Sequence, residues 1–224
     1  MKAGFLRLPT IFLVAGLAGG SFVRCAKATS ISGNLTADNA FFAYLSTSNS
    51  VRGTLVASGN AWGTTFNFSN FALTAGQTYY LQIEAINYGG PGAIIGDFTL
   101  SDAGFQFANG TQHLLTDTTH WLASYNDSNK NPSTQQPWVT PTGTVISKGL
   151  NGIAPWGTRS GISGSADWID ATTNGLTACA NCTVDFSTTI TSNGSTVPEP
   201  ATFGYLASAL AGLCATRMRR RAKV

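Results

Sequence analysis

The stretch from Tyr79 to Ala85 constrains the fold more than any other. Tyr79, Leu81, Ile83 and Ala85 alternate with Tyr80, Gln82 and Glu84. Successive side chains of an extended chain point to opposite faces, so this alternation predicts a strand with one buried face and one wet face. On that reading Glu84 is a solvated side chain. The same period of two predicts a last strand through Val184, Phe186, Thr188 and Ile190. It also predicts a strand from Ile94 to Ser101 with Ile94, Phe98 and Leu100 on one side, and another in which Trp62, Thr64, Phe66 and Phe68 share a face. Phe41 to Leu45 follows the turn-like Ala37-Asp38-Asn39, and short strands are expected at Phe105 to Phe107, His113 to Leu115 and Trp121 to Tyr125. Thr74 to Gln77 and the glycine-rich run Asn87 to Gly92 break the pattern as turns. No stretch between residues 29 and 196 carries an apolar helical stripe over three turns. Many short strands with frequent turns predict an all-β body, a jelly roll or β-sandwich.

Charge separates the body from the ends. The 224-residue chain has a formal charge of +3, yet nine of its thirteen Lys and Arg lie in residues 1–28 and 197–224. Residues 29–196 keep only Arg52, Lys130, Lys148 and Arg159 against nine carboxylates, a net charge of −5. An acidic body offers no electrostatic footprint for nucleic acid. Its length suffices for one domain with a sizeable core. From about residue 126 to 170 the chain turns rich in Asn, Pro, Gly and Thr, with isolated Trp138, Trp156 and Trp168. These large apolar side chains favour burial, so the region reads as a long ordered loop or as an insertion packed on the sandwich.

Both ends read as addresses. Residues 1–28 have a basic start at Lys2 and Arg7 and an apolar stretch from Leu8 to Val23, the pattern of a secretory signal helix handled by the Sec machinery. At the other end, Val197-Pro198-Glu199-Pro200 precedes sixteen residues, Ala201 to Thr216, without a charge. As a helix these span roughly 24 Å, a short transmembrane segment. The basic flank of Arg217, Arg219, Arg220 and Arg221 would hold the C-terminal end on the cytoplasmic side, leaving the body outside. In order and spacing, residues 197–224 resemble the PEP-CTERM sorting signal of Gram-negative bacteria that make exopolysaccharide. The resemblance implies recognition and processing by an exosortase, and a cell-surface or extracellular destination. It covers the terminal segment alone and implies no activity.

Chemistry-bearing groups are few. Cys179 and Cys182, with two residues between them, are expected to form a structural disulfide in an oxidising compartment. Redox use of this spacing would call for a βαβ unit, and zinc for a second ligand pair, for which only His113 and His120 are available. These histidines flank Asp117, but no His-Glu-x-x-His pattern occurs, and Gly161-Ile162-Ser163-Gly164-Ser165 misses the nucleophile-elbow motif at its last position. Two loop histidines are the reading favoured. Glycoside hydrolysis needs two facing carboxylates, and Glu84 is the only glutamate of the body. Binding is the better expectation. Asp38, Asn39 and Asp97 supply hard oxygens that suit Ca²⁺ if loops bring them together. Trp62, Tyr88 and Trp121 could present flat faces to sugar rings, with Asn87 as a polar partner, although aromatic residues in a small sandwich are more often core. Residues 36–100 loosely resemble carbohydrate-binding-like β-sandwich modules. The expectation is a non-enzymatic, exported protein that binds polysaccharide or another matrix component; a matrix-acting hydrolase and a purely structural or adhesive protein are the alternatives.

Overall fold

The structure is a computed structural model that describes residues 28–126, 136–171 and 182–193. These belong to one compact unit, Lys27–Pro198. The signal stretch up to residue 27, the sorting motif, the apolar run, its basic flank and Cys179 lie outside the described residues.

Twelve strands and no helix occur among the described residues: β1 (Ser30–Asp38), β2 (Ala40–Ser46), β3 (Thr54–Gly59), β4 (Phe66–Ala72), β5 (Tyr79–Asn87), β6 (Ala93–Leu100), β7 (Phe105–Phe107), β8 (His113–Leu115), β9 (Leu122–Asn126), β10 (Val145–Leu150), β11 (Asp167–Ala171) and β12 (Cys182–Ser192). All pairings are antiparallel. Sheet A runs β10-β11-β6-β1-β4, with β8 also paired to β6; sheet B runs β3-β2-β5-β12-β7, with β9 also paired to β12. The all-β expectation therefore holds, in the form of two antiparallel sheets packed face to face.

Alternation builds the core. Ile31, Leu35 and Ala37 of β1 and Ile94, Phe98 and Leu100 of β6 turn inward to meet Leu81, Ile83 and Ala85 of β5 and Val184, Phe186 and Ile190 of β12. Phe41 and Phe66, edge to face with centroids 5.6 Å apart, join the two sheets. Two strand glycines make room for the Phe98 ring: a Cβ on Gly33 would lie 2.4 Å from Phe98 Cδ1, and one on Gly96 2.5 Å from Phe98 Cζ. Trp121 is buried against Phe98, centroids 5.6 Å apart, so it is core and not a platform for a ligand.

Three expectations need correction. First, Trp62 does not share a face with Phe66 and Phe68. The chain turns at Ala61, whose carbonyl accepts the Thr64 N–H at 2.9 Å, and β4 begins only at Phe66. Second, the region from residue 126 to 170 is more than a loop, since it supplies β10 and β11 to sheet A. β10 is an edge strand whose Ile146 and Leu150 are exposed, so it lacks the buried alternation that would have marked it. Third, β5 has no wet face along residues 82–86: Gln82, Glu84 and Ile86 are as buried as Leu81 and Ile83.

The Trp residues of this region do pack on the sandwich. Trp156 stacks on Trp168 with centroids 4.7 Å apart and planes 20° apart. With Ile162 and Ala166 they cover the outward-facing Ala93 and Ile95 of β6 as a second, smaller apolar cluster. Half the outer face of sheet A is thereby roofed, and the rest stays open.

Candidate functional site: a polar groove on the outer face of sheet A

The open half is built by strand alternation. Because Ile31, Gly33 and Leu35 point inward, Ser32 and Asn34 point outward. Register then sets Asn67 of β4 on one side of Asn34 and Asp97 of β6 on the other, while Thr99 pairs with Ser32. A β-bulge between β1 and β4 adds one residue near Asn70, which adopts a left-handed φ of 61° and donates its N–H to Ser32 Oγ at 3.1 Å. Asn tolerates that conformation better than other side-chain-bearing residues, and such bulges re-aim the neighbouring side chains. Here Ser69 is turned into the groove. The result is a depression of about 300 Å³ lined by Ser32, Gly33, Asn34, Asn67, Phe68, Ser69, Asp97 and Thr99.

The end of the roofing segment frames this groove. Asn34 Nδ2 donates to the Gly161 carbonyl at 2.9 Å, and Ser163 N–H donates to Asp97 Oδ2 at 3.0 Å. His113 of β8 reaches Asp97 Oδ1 at 2.7 Å. Two contacts therefore orient the Asp97 carboxylate, and among the described residues the Asn34 Oδ1 accepts no hydrogen bond. Beyond Asn34 on the same face, Thr36 Oγ1 donates to the Trp62 carbonyl at 3.3 Å. The exposed Trp62 ring carries the Arg159 guanidinium 5.4 Å from its centroid, and Arg159 also donates to the Trp156 carbonyl. An aromatic face and a fixed cation thus stand at one end of a row of amides, hydroxyls and a carboxylate.

The other expected ligand residues are distributed as follows. Asp38 shares this face but lies under the roof, accepting from Trp156 Nε1 at 2.9 Å. Burial raises its carboxyl pKa, and the indole hydrogen bond offsets part of the rise. Asp38 pairs with Ala93, four positions along β6 from Asp97, a separation of roughly 13 Å at about 3.3 Å per residue. Asn39 instead turns to sheet B, where its Oδ1 accepts the Tyr88 N–H at 2.7 Å. Asn87 braces the turn that follows β5 through Gly89 N–H and the Gly90 carbonyl. The Tyr88 hydroxyl is buried there without a hydrogen-bond partner, and the side chain is half-buried. The three oxygen donors Asp38, Asn39 and Asp97 do not converge, and among the described residues no group of three or more His, Cys, Asp or Glu side chains could hold a metal ion. Cys182 is buried.

A second polar cluster lies on the outer face of sheet B, and it is sealed. Glu84 and Asp185 oppose one another across β5 and β12, and both are fully buried. Arg52 Nη2 sits 2.6 Å from Glu84 Oε2 and donates also to the Gln136 carbonyl. A strap over residues 136–143 closes the site, with Gln136 N–H on Glu84 Oε1 at 2.6 Å and Val139 N–H on Asp185 Oδ2 at 2.7 Å. Trp138 pins the strap by donating to the Asn49 carbonyl at 2.8 Å. Burial pushes the Asp185 carboxyl up to about 7; the Val139 N–H pulls it down and the Glu84 charge pushes it further up. Glu84 is raised by the same burial, with Gln136 N–H and Arg52 opposing. Facing carboxylates are thus present, but they are spent on holding the strap.

The groove residues Ser32, Asn34, Asn67, Ser69 and Thr99 were not singled out from the sequence. The signal was there in the alternation of Ser30, Ser32, Asn34 and Thr36 with Ile31, Gly33 and Leu35, weakened by Gly33 at an inward position. No family model, curated protein or solved structure matches the chain.

Proposed function

We propose that this chain is an exported cell-surface or extracellular-matrix protein whose sandwich binds a polysaccharide in the groove of sheet A. The reading is non-enzymatic and needs no cofactor. Sec export through residues 1–28 and exosortase sorting through Val197-Pro198-Glu199-Pro200 would deliver it, with the apolar run as a transient transmembrane helix and Cys179 as the disulfide partner of Cys182. The observation that carries the binding reading is the groove itself. Planar amides, a carboxylate and hydroxyls suit the hydroxyl groups of a sugar chain, and Trp62 offers a ring for its C–H face. The −5 charge of the body favours a neutral or cationic glycan over an anionic one. Against the hydrolase alternative stands the sealing of Glu84 and Asp185 beneath the strap.

Glycan-array and polysaccharide pull-down measurements on the full-length chain test the binding. Retention on at least one matrix polysaccharide is expected, and turnover of a substrate without retention on any would refute it. Delivery is tested separately: replacing Glu199 and the flanking prolines should leave the protein in the membrane fraction, whereas unchanged release would make the motif incidental.

A further inference from the structure

Asp97 is the one charged side chain that lines the groove of sheet A. Its partners orient it without neutralising it. Ser163 N–H donates to Oδ2 and the His113 ring to Oδ1; because a carboxylate only accepts, His113 Nε2 carries the proton of that bond. Ser163 contributes a neutral amide, and His113 an imidazole that is charged only while doubly protonated, so neither is a permanent cation. Glu84 on sheet B is the opposite case, with Arg52 Nη2 2.6 Å from its Oε2. The other described cations do not serve Asp97 in this way. Arg159 is committed to the Trp62 ring and the Trp156 carbonyl, and Lys148 sits on β10, two strands away from β6.

The residue opposite completes an acceptor pair. Asn34 faces Asp97 directly across β1 and β6, and with its Nδ2 held by the Gly161 carbonyl, Oδ1 is the end left for a ligand. Directly opposed side chains have Cβ atoms about 4.5–5.5 Å apart, so one small group can meet both. A carboxylate has about four acceptor sites, of which two are used here. An amide oxygen beside an unneutralised carboxylate calls for a group with several N–H donors and a positive charge. An ammonium has three donors and no acceptor, whereas a hydroxyl has one donor and brings no charge.

We propose that the groove selects a glycan bearing free amines, a glucosamine-type polymer, whose ammonium bridges Asp97 and Asn34 Oδ1. The inference rests on the groove being a glycan site, as proposed above, and names the class of glycan. Asn67, on the other side of Asn34, is left for ring hydroxyls together with Ser69 and Thr99. An anionic sugar would meet the same carboxylate as a like charge, and the −5 charge of the body adds repulsion at longer range.

The test is calorimetry on the full-length chain with oligosaccharides of chitosan, chitin and cellulose, equal in length and linkage and differing only in one substituent: an amine, an acetamide or a hydroxyl. The chitosan oligomer should bind about tenfold or more tighter than the other two, the gain expected of a hydrogen bond between charged groups, and added salt should shrink the gap. Asp97→Asn removes the charge while keeping an acceptor, and His113→Arg sets a permanent cation on the same carboxylate; either should collapse the gap. His113 is an exposed side chain of the short β8, so this variant reports even where the first disturbs the fold. A chitin or cellulose oligomer bound as tightly as chitosan, or a preference that survives both variants, would overturn the inference; if that binding is still lost in Asn34→Ala, the groove itself stands. Oligolysine bound as tightly as the chitosan oligomer, and as sensitive to Asp97→Asn, would reduce the site to bare charge capture and overturn the choice of a glycan. If none of the three oligomers binds, the inference fails, and the groove reading fails with it only when no polysaccharide is retained either.

Discussion

The outer faces of the two sheets carry comparable side chains and treat them in opposite ways. On sheet A, Asn34, Asn67 and Asp97 line an open depression, because the segment that roofs β6 stops at Gly161 to Ser163. On sheet B, Gln82, Glu84 and Asp185 are fully buried, because the turn around Asn49 to Arg52 and the strap over residues 136–143 lie across them. A polar side chain at an outward strand position is thus solvated or sealed according to what a distant part of the chain lays over it. Open polar groups are available to a ligand; sealed ones are consumed in holding their cover.

The contrast is most exposed to the removal of one cation from each face. Arg52→Met leaves Glu84 and Asp185 buried without a counter-ion and should cost about 3–5 kcal/mol, the range for breaking a buried pair from one side. Arg159→Met removes a surface cation–π contact with Trp62 and should cost about 1 kcal/mol or less. Urea unfolding of both variants measures the difference, and equal losses would erase the distinction between a sealed and an open face.

Protons probe the sealed face next. Asp185 titrates near 7 in the fold and near 3.8 when unfolded. Between those values the native state holds a proton that the unfolded chain has released, so this group's contribution falls as pH rises from about 4 to 7 and is level above. At about 1.4 kcal/mol per pH unit the ceiling is ~4 kcal/mol. Urea midpoints from pH 5 to 8 should therefore decline, and Asp185→Asn, which keeps an acceptor for Val139 N–H, should flatten the slope. A smaller effect belongs to the roofed half of sheet A. Trp156→Phe keeps the stack on Trp168 but deprives the buried Asp38 of its donor, for an expected loss of about 1–3 kcal/mol by the same unfolding assay.

These sites show how far the chain could be read before its structure was seen. Inward alternation at Leu81, Ile83, Val184 and Phe186 was legible, because core packing is written locally in a period of two. Coverage of the outward side is not written locally: Glu84 is sealed by Gln136, fifty-two positions away, and Asp38 by Trp156, 118 positions away. β10 escaped notice because an edge strand need not bury either face, and β11 because Trp168 to Ala171 are buried on both faces and so carry no period of two. Of the expected ligand residues, Asp97 and Trp62 sit beside the open groove, while Asp38, Asn39, Asn87 and Tyr88 are committed to roof and turns. The bulge at Asn70, which turns Ser69 into the groove, follows from pairing between β1 and β4 and leaves no mark that a single strand's pattern reveals.

The claim that the open face of sheet A is the binding surface is tested most directly by calorimetry on the full-length chain. The titrant is a polysaccharide retained in the pull-down, and the proteins compared are the wild type and Asn34→Ala/Asn67→Ala. Both asparagines face outward, so the double variant should melt within a few degrees of the wild type while its affinity falls by roughly tenfold or more. An unchanged affinity, with the fold intact, would contradict the account.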